Sequence, residues 1–215
     1  MIVREPREPR EPREPCPEEA SENLRIIREL MERSTRYSTF SGMSGILAGS
    51  AAILGAVLTH SLQPKSGKMF LLIWSVVVIF ALTNDYFLTK RKARGVGKHI
   101  VSRLGKQMGL ASVPGFGMGA LLTLFFWQHN LLDYIYPIWM LCYGIAVLAV
   151  GLFSQREVSY LGYAFLVAGA INLLLFPAHG LVGMALSFGG LHIIYGIIIG
   201  RKDRREAERR DMGIR

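Results

Sequence analysis

Charged side chains are absent from residues 37–64, 69–84, 107–132, 134–155 and 158–200, and residues 86–89 prolong the second of these runs beyond a lone Asp85. The hydrocarbon core of a bilayer takes about 20 apolar residues per helix. Four of the runs therefore hold one span each, and the run 158–200 holds two, folded at Phe176-Pro177-Ala178-His179-Gly180. The pattern predicts an all-α polytopic membrane bundle of six transmembrane helices within residues 37–200. Short connections at His129-Asn130 and at Pro177 to Gly180 arrange the six as three hairpins.

The flanking segments follow other rules. Arg-Glu-Pro occurs four times between Arg4 and Pro15. Proline at every third position removes backbone donors and favours extended polyproline II, and the alternating charges offer nothing to bury. Residues 1–20 are thus expected to be a disordered tail. From Ser21 the spacing of Leu24, Ile26, Ile27, Leu30 and Met31 among charged neighbours predicts a cytoplasmic amphipathic helix over residues 21–36, capped by Ser21. Val96, Ile100, Val101, Leu104 and Met108 recur near helical period among cations, which predicts a short interfacial helix over about 96–108, before Pro114-Gly115 opens the third span. Residues 201–215 form a basic tail.

Lipid gives helices no hydrophobic reason to associate, so close backbone approach at small residues must hold them together. Gly45, Gly49, Ala52 and Ala56 line one face of the first span. Ala185, Gly189, His192, Gly196 and Gly200 line one face of the sixth. Both are surfaces built for tight contact.

Charge then gives a direction. The two tails and the even-numbered connections hold 23 of the 25 Lys and Arg. Under the positive-inside rule this places both termini in the cytoplasm of a multi-pass inner (plasma) membrane protein. A net charge of +9 and a pI near 9.8 point to anionic lipid headgroups rather than nucleic acid, because the cations flank spans. Cys16 falls in the tail and Cys142 inside the fourth span, so no disulfide framework is expected. The first apolar run starts only after Arg36, behind a charged segment, and is expected to serve as an uncleaved insertion signal.

Few residues carry candidate chemistry. His192 lies near the middle of the sixth span with Tyr195 a turn further on, and a polar ring at that depth must point into the bundle. Asn172 and Tyr143, in the fifth and fourth spans, are further candidates for an intramembrane polar site, and Asp85 is the one carboxylate inside a span. Asp85 stands close in sequence to Lys90 and Arg91, and the hairpin brings Arg33 and Arg36 into reach as ion-pair partners. His60, His129 and His179 end the first, third and fifth spans, and Asp133 follows His129 closely. Three imidazoles and a carboxylate are the ligand types of Zn²⁺ or Cu²⁺, or of a proton sensor, on the outer face. Arg33, Ser34, Thr35, Arg36, Lys90, Arg91 and Lys92 suit the phosphate of a lipid headgroup or another anion. No second mid-membrane histidine supports bis-histidine haem ligation, so no cofactor is predicted, and haem or a metal enters only through these histidines.

The runs Met31-Glu32-Arg33-Ser34-Thr35-Arg36 and Ser41-Gly42-Met43-Ser44-Gly45, with Leu161-Gly162-Tyr163-Ala164-Phe165 and Gly190-Leu191-His192-Ile193-Ile194-Tyr195-Gly196, resemble a group of uncharacterised bacterial six-span membrane proteins over about residues 24–200. The resemblance implies a bacterial integral membrane protein and brings no activity, substrate or catalytic residue with it. An intramembrane enzyme lacks its parts here: Gly-x-Ser-x-Gly, His-Glu-x-x-His and a phosphate-binding glycine loop are all missing. A transporter or channel finds support only in His192 and Asp85. The leading expectation is a membrane-embedded sensor or regulatory scaffold that engages lipid, a cytoplasmic protein or a second copy of itself.

Overall fold

A backbone in lipid must satisfy its own polar groups, and each uncharged run does so as a helix. The computed structural model describes residues 21, 22, 24, 25, 41–62, 67–95 and 103–212. The helices are α1 (Gly42–Leu62), α2 (Gly67–Gly95), α3 (Arg103–Gln128), α4 (Ile135–Gly151) and α5 (Arg156–Leu175). The sixth rod is composite: α6 (Gly180–Met184), a π-helical segment (Ala185–Leu191) and α7 (His192–Asp211) follow one another without a break. Single 3-10 turns, Leu132–Tyr134 and Pro177–His179, precede the fourth and sixth rods. All six rods are long and apolar enough to cross a membrane, and no strand occurs among the described residues.

Residues 1–36 separate as a unit of their own. Of that unit Ser21, Glu22, Leu24 and Arg25 are described and are helical. The Arg-Glu-Pro segment, the rest of the expected 21–36 helix with Arg33, Ser34, Thr35 and Arg36, and residues 96–102 lie outside the described residues. Residues 103–108 of the expected 96–108 helix are the first described turns of the third rod, which passes through Pro114 without a break. Proline frees one carbonyl of the preceding turn, a loss that spanning helices tolerate. The basic tail continues α7 as helix to Asp211.

The small-residue faces of α1 and the sixth rod meet each other. A Cβ on Gly49 would stand 2.6 Å from the Gly189 carbonyl oxygen, and one on Gly196 would stand 2.8 Å from the Ile46 backbone nitrogen. Gly42 is equally close to Gly196 and Gly200. No side chain fits between these backbones, so glycine is required on both sides. A second seam joins α4 to α5, where Cβ atoms on Gly144 and Gly169 would meet the Gly162 carbonyl oxygen at 3.0 Å and the Leu141 side chain at 2.9 Å.

Two expected hairpins pack as such, α1 with α2 and α3 with α4. The fifth and sixth rods also touch, yet their main partners are α4 and α1 respectively. α2 contributes Trp74 and Phe70 to a buried cluster with Ala56 of α1, and Phe70 meets Tyr136 of α4 edge-on at 5.5 Å. α3 faces α4 through Gly115, Gly119 and Thr123, with the Trp139 indole donating to the Thr123 hydroxyl at 2.8 Å. At the end where α1 begins and α5 begins, two ion pairs tie other elements to α7: Lys92 with Asp203 at 2.8 Å and Lys202 with Glu157 at 2.7 Å.

Candidate functional site

The π segment leads into His192, which makes a strongly polar contact between α7 and α4. A π turn closes hydrogen bonds five residues apart and carries one residue more than an α-helix needs, so it re-aims the side chains that follow. His192 Nε2 stands 2.7 Å from the Tyr143 hydroxyl of α4. Its ring stacks over Phe188 at 6.0 Å and meets Phe165 of α5 edge-on at 5.3 Å. Tyr143 packs in turn on Phe165 at 4.7 Å and Phe188 at 4.9 Å, so four aromatic rings from three rods cluster around one hydrogen bond. Phe165 is wholly buried there.

Protonation at this pair has a defined logic. If Nε2 accepts from the Tyr143 hydroxyl, the ring proton sits on Nδ1, which is buried and lacks a hydrogen bond of ordinary geometry. The Phe188 carbonyl lies on that side of the ring without completing one. The alternative tautomer donates from Nε2 to the phenol oxygen and leaves Nδ1 as a bare acceptor. Either way one nitrogen of His192 is unused. Tyr195 packs against the same core as Tyr143 and Phe165.

Asp85 is not paired with Lys90 or Arg91, and its other expected partners, Arg33 and Arg36, lie outside the described residues. Lys90 turns back over the Tyr86 ring, its ammonium 5.3 Å from the centroid, and Arg91 is exposed. No ion pair to Asp85 exists among the described residues. Its carboxylate instead takes the Ser44 hydroxyl of α1 at 2.7 Å. The reason is helical geometry: residue 90 is five positions on, beyond the three or four at which side chains share a face. Of the five intramembrane candidates, His192, Tyr143 and Tyr195 share one core, while Asp85 is held by Ser44 of α1. Asn172 has a third setting. It sits against Gly183 at the Pro177–His179 turn, 3.4 Å from the carbonyls of Phe176 and His179.

The residues expected on the outer face share an end without sharing a site. The 3-10 turns holding Asp133 and His179 touch. His60, His129 and His179 are exposed, and the His129 ring is held by its own Phe125 carbonyl at 2.8 Å. Among the described residues no group of three His, Cys, Asp or Glu is placed to hold a metal ion. Lys92 pairs with Asp203 at 2.8 Å. Cys142 is buried and unpaired.

Two features of this region escaped the sequence pattern: the α4–α5 seam and the enclosing Phe165 and Phe188. Glycines seven apart on both helices, 144 and 151, 162 and 169, carried the signal for the seam. The chain matches no protein-family model, no curated protein and no solved structure.

Proposed function

We propose that this integral membrane protein is a membrane-embedded sensor or regulatory protein in which the state of the His192–Tyr143 pair sets the disposition of the basic segment after Arg201. The observation that supports this reading is the continuity of α7, which starts at His192 and carries Arg201, Lys202, Arg204, Arg205 and Arg209 on the same rod. Arg201 lies nine residues on, about 14 Å along the axis, roughly half the thickness of a bilayer core. A helix that begins at a buried polar pair and ends in a cluster of cations couples the two mechanically. The π segment supplies the bistable element, because shifting its extra residue by a turn rotates the side chains beside it.

The cation cluster gives the output its chemistry. With both termini cytoplasmic, as the distribution of Lys and Arg favours, the segment meets the anionic inner leaflet or an acidic protein surface. A transport role draws support from the intramembrane polar groups His192 and Asp85.

Hydrogen–deuterium exchange of the full chain in nanodiscs tests the reading. Tyr143→Phe and His192→Leu are expected to change exchange across residues 201–212 while the melting transition remains cooperative. Unchanged exchange there, in variants that still fold, would refute the coupling.

A further inference from the structure

Asp85 is a carboxylate inside a spanning helix with no cation beside it among the described residues. Such a group is costly in a membrane and calls for a partner. What surrounds it is oxygen. Ser44 Oγ lies 2.7 Å from Asp85 Oδ1 and 2.8 Å from the Ser41 carbonyl oxygen. A serine hydroxyl has one proton and can serve only one of those acceptors at a time; the Ser41 carbonyl also takes the Ser44 backbone N–H at 3.2 Å, so it is the carboxylate that loses its donor when the hydroxyl turns to Ser41.

Thr89 makes the shortage larger. It stands one turn beyond Asp85 on the same face of α2, is 5% exposed, and turns its hydroxyl toward the carboxylate. That hydroxyl closes no hydrogen bond of ordinary geometry. Buried hydroxyls without partners are rare and ask for a reason. Here four oxygens lie together where the start of α1 meets α2: a carboxylate, two hydroxyls and a main-chain carbonyl.

We propose that Asp85, Ser44, Thr89 and the Ser41 carbonyl form a binding site for a monovalent cation of the sodium class. Hard oxygen donors with no nitrogen or sulfur select alkali and alkaline-earth ions over transition metals. A single carboxylate matches a single positive charge, and a divalent ion at this depth leaves net charge uncompensated. When the cation is bound, Ser44 donates to Ser41 or turns its lone pairs inward, Thr89 contributes its free lone pairs, and each oxygen is satisfied. The site sits between α1 and α2, and α1 packs its opposite small-residue face against the rod that carries His192. The inference does not depend on the sensory reading given above.

The test uses the full chain in nanodiscs of neutral lipid. Choline chloride is replaced by sodium, potassium or lithium chloride at constant ionic strength, with melting temperature and ²²Na⁺ binding as readouts. The expected result is a saturable rise in melting temperature with sodium, one sodium bound per chain, and loss of both in Asp85→Asn. Thr89→Val and Ser44→Ala, milder changes that keep the carboxylate, are expected to weaken apparent sodium affinity about tenfold or more, which a ligand loss of about 1.4 kcal/mol produces. Absence of any sodium response in the wild type overturns the proposal, as does a response that survives in Asp85→Asn. A melting temperature that follows pH but not sodium makes the occupant a proton and also overturns it. So does a sodium response that appears only when Arg33 and Arg36 are replaced by glutamine, since the carboxylate would then belong to a guanidinium.

Discussion

Gly49 and Gly189 approach so closely that a methyl group on Gly49 would sit 2.6 Å from the Gly189 carbonyl oxygen. The obstacle is backbone, which cannot rotate aside as a side chain can. Gly49→Ala is therefore expected to lower stability by about 1–3 kcal/mol, the usual range for overpacking, and Gly49→Leu to prevent folding. Gly117 on α3 provides the contrast, because nothing lies within 4 Å of the place its Cβ would take. Gly117→Ala is expected to be neutral or to stabilise by up to about 1 kcal/mol through reduced chain entropy. Melting of both alanine variants in detergent checks the pair, and equal behaviour would refute the seam.

The bond between Tyr143 and His192 is a polar contact in a surround of Phe116, Phe165 and Phe188. Interhelical hydrogen bonds in membranes contribute about 0.5–2 kcal/mol. A double-mutant cycle of Tyr143→Phe and His192→Leu is expected to return a coupling within that range. The single change Tyr143→Phe should cost more than the pair's coupling, since it leaves both nitrogens of a buried imidazole without a partner. Additive effects of the two changes would mean that the contact does not hold α4 to α7.

These relationships were legible in the sequence to different depths. Six spans and the positions of their breaks follow from uncharged runs, because bilayer thickness fixes helix length. The small faces of α1 and the sixth rod were also visible, as steps of three and four residues define a helix face whatever lies opposite. Which helix lies opposite is another matter. That Gly49 meets Gly189, or that Tyr143 reaches His192 across 49 residues of sequence, depends on how six rods are arranged, and periodicity within one rod carries no such information. Asp85 illustrates the same limit: nearness in sequence suggested Lys90, while helical geometry gave it Ser44 from another helix. The π segment has no period to read, since the residues Ala185–Leu191 fit an α-helical pattern equally well.

The ion pairs at the basic end fasten α7 from two sides. Lys92–Asp203 joins it to α2 and Lys202–Glu157 to α5. The side chains are 24% and 35% exposed in the first pair and 42% and 26% in the second. Water and salt reach both, so Lys92→Met or Lys202→Met is expected to cost no more than about 1 kcal/mol. Raising ionic strength should shrink the difference from wild type. The swap Lys92→Asp with Asp203→Lys should restore what either single reversal loses. A cost that stays the same in high salt would show that packing of the lysine stem, not charge, is responsible.

Topology is the prediction on which the functional reading leans most heavily. Six crossings put the start of α1 and the α7 segment beyond Gly200 at the same end of the bundle, and the close approach of Gly42 to Gly200 fits that count. Which side of the membrane this end occupies is decided by charge. Among the described residues it holds Lys90, Arg91, Lys92, Arg103, Lys106, Arg156 and the cations of 201–209, whereas Lys68 is the one Lys or Arg described at the end with His60, His129 and His179. Each Lys or Arg near an anionic inner leaflet gains about 1 kcal/mol, so the accumulated bias far exceeds thermal energy. Reporter fusions after Lys65, His129 and His179 are expected to read as external, and fusions after Arg94 and Met212 as cytoplasmic. Reversal at any two of these sites would overturn the orientation, and with it the assignment of the basic α7 segment to a cytoplasmic output.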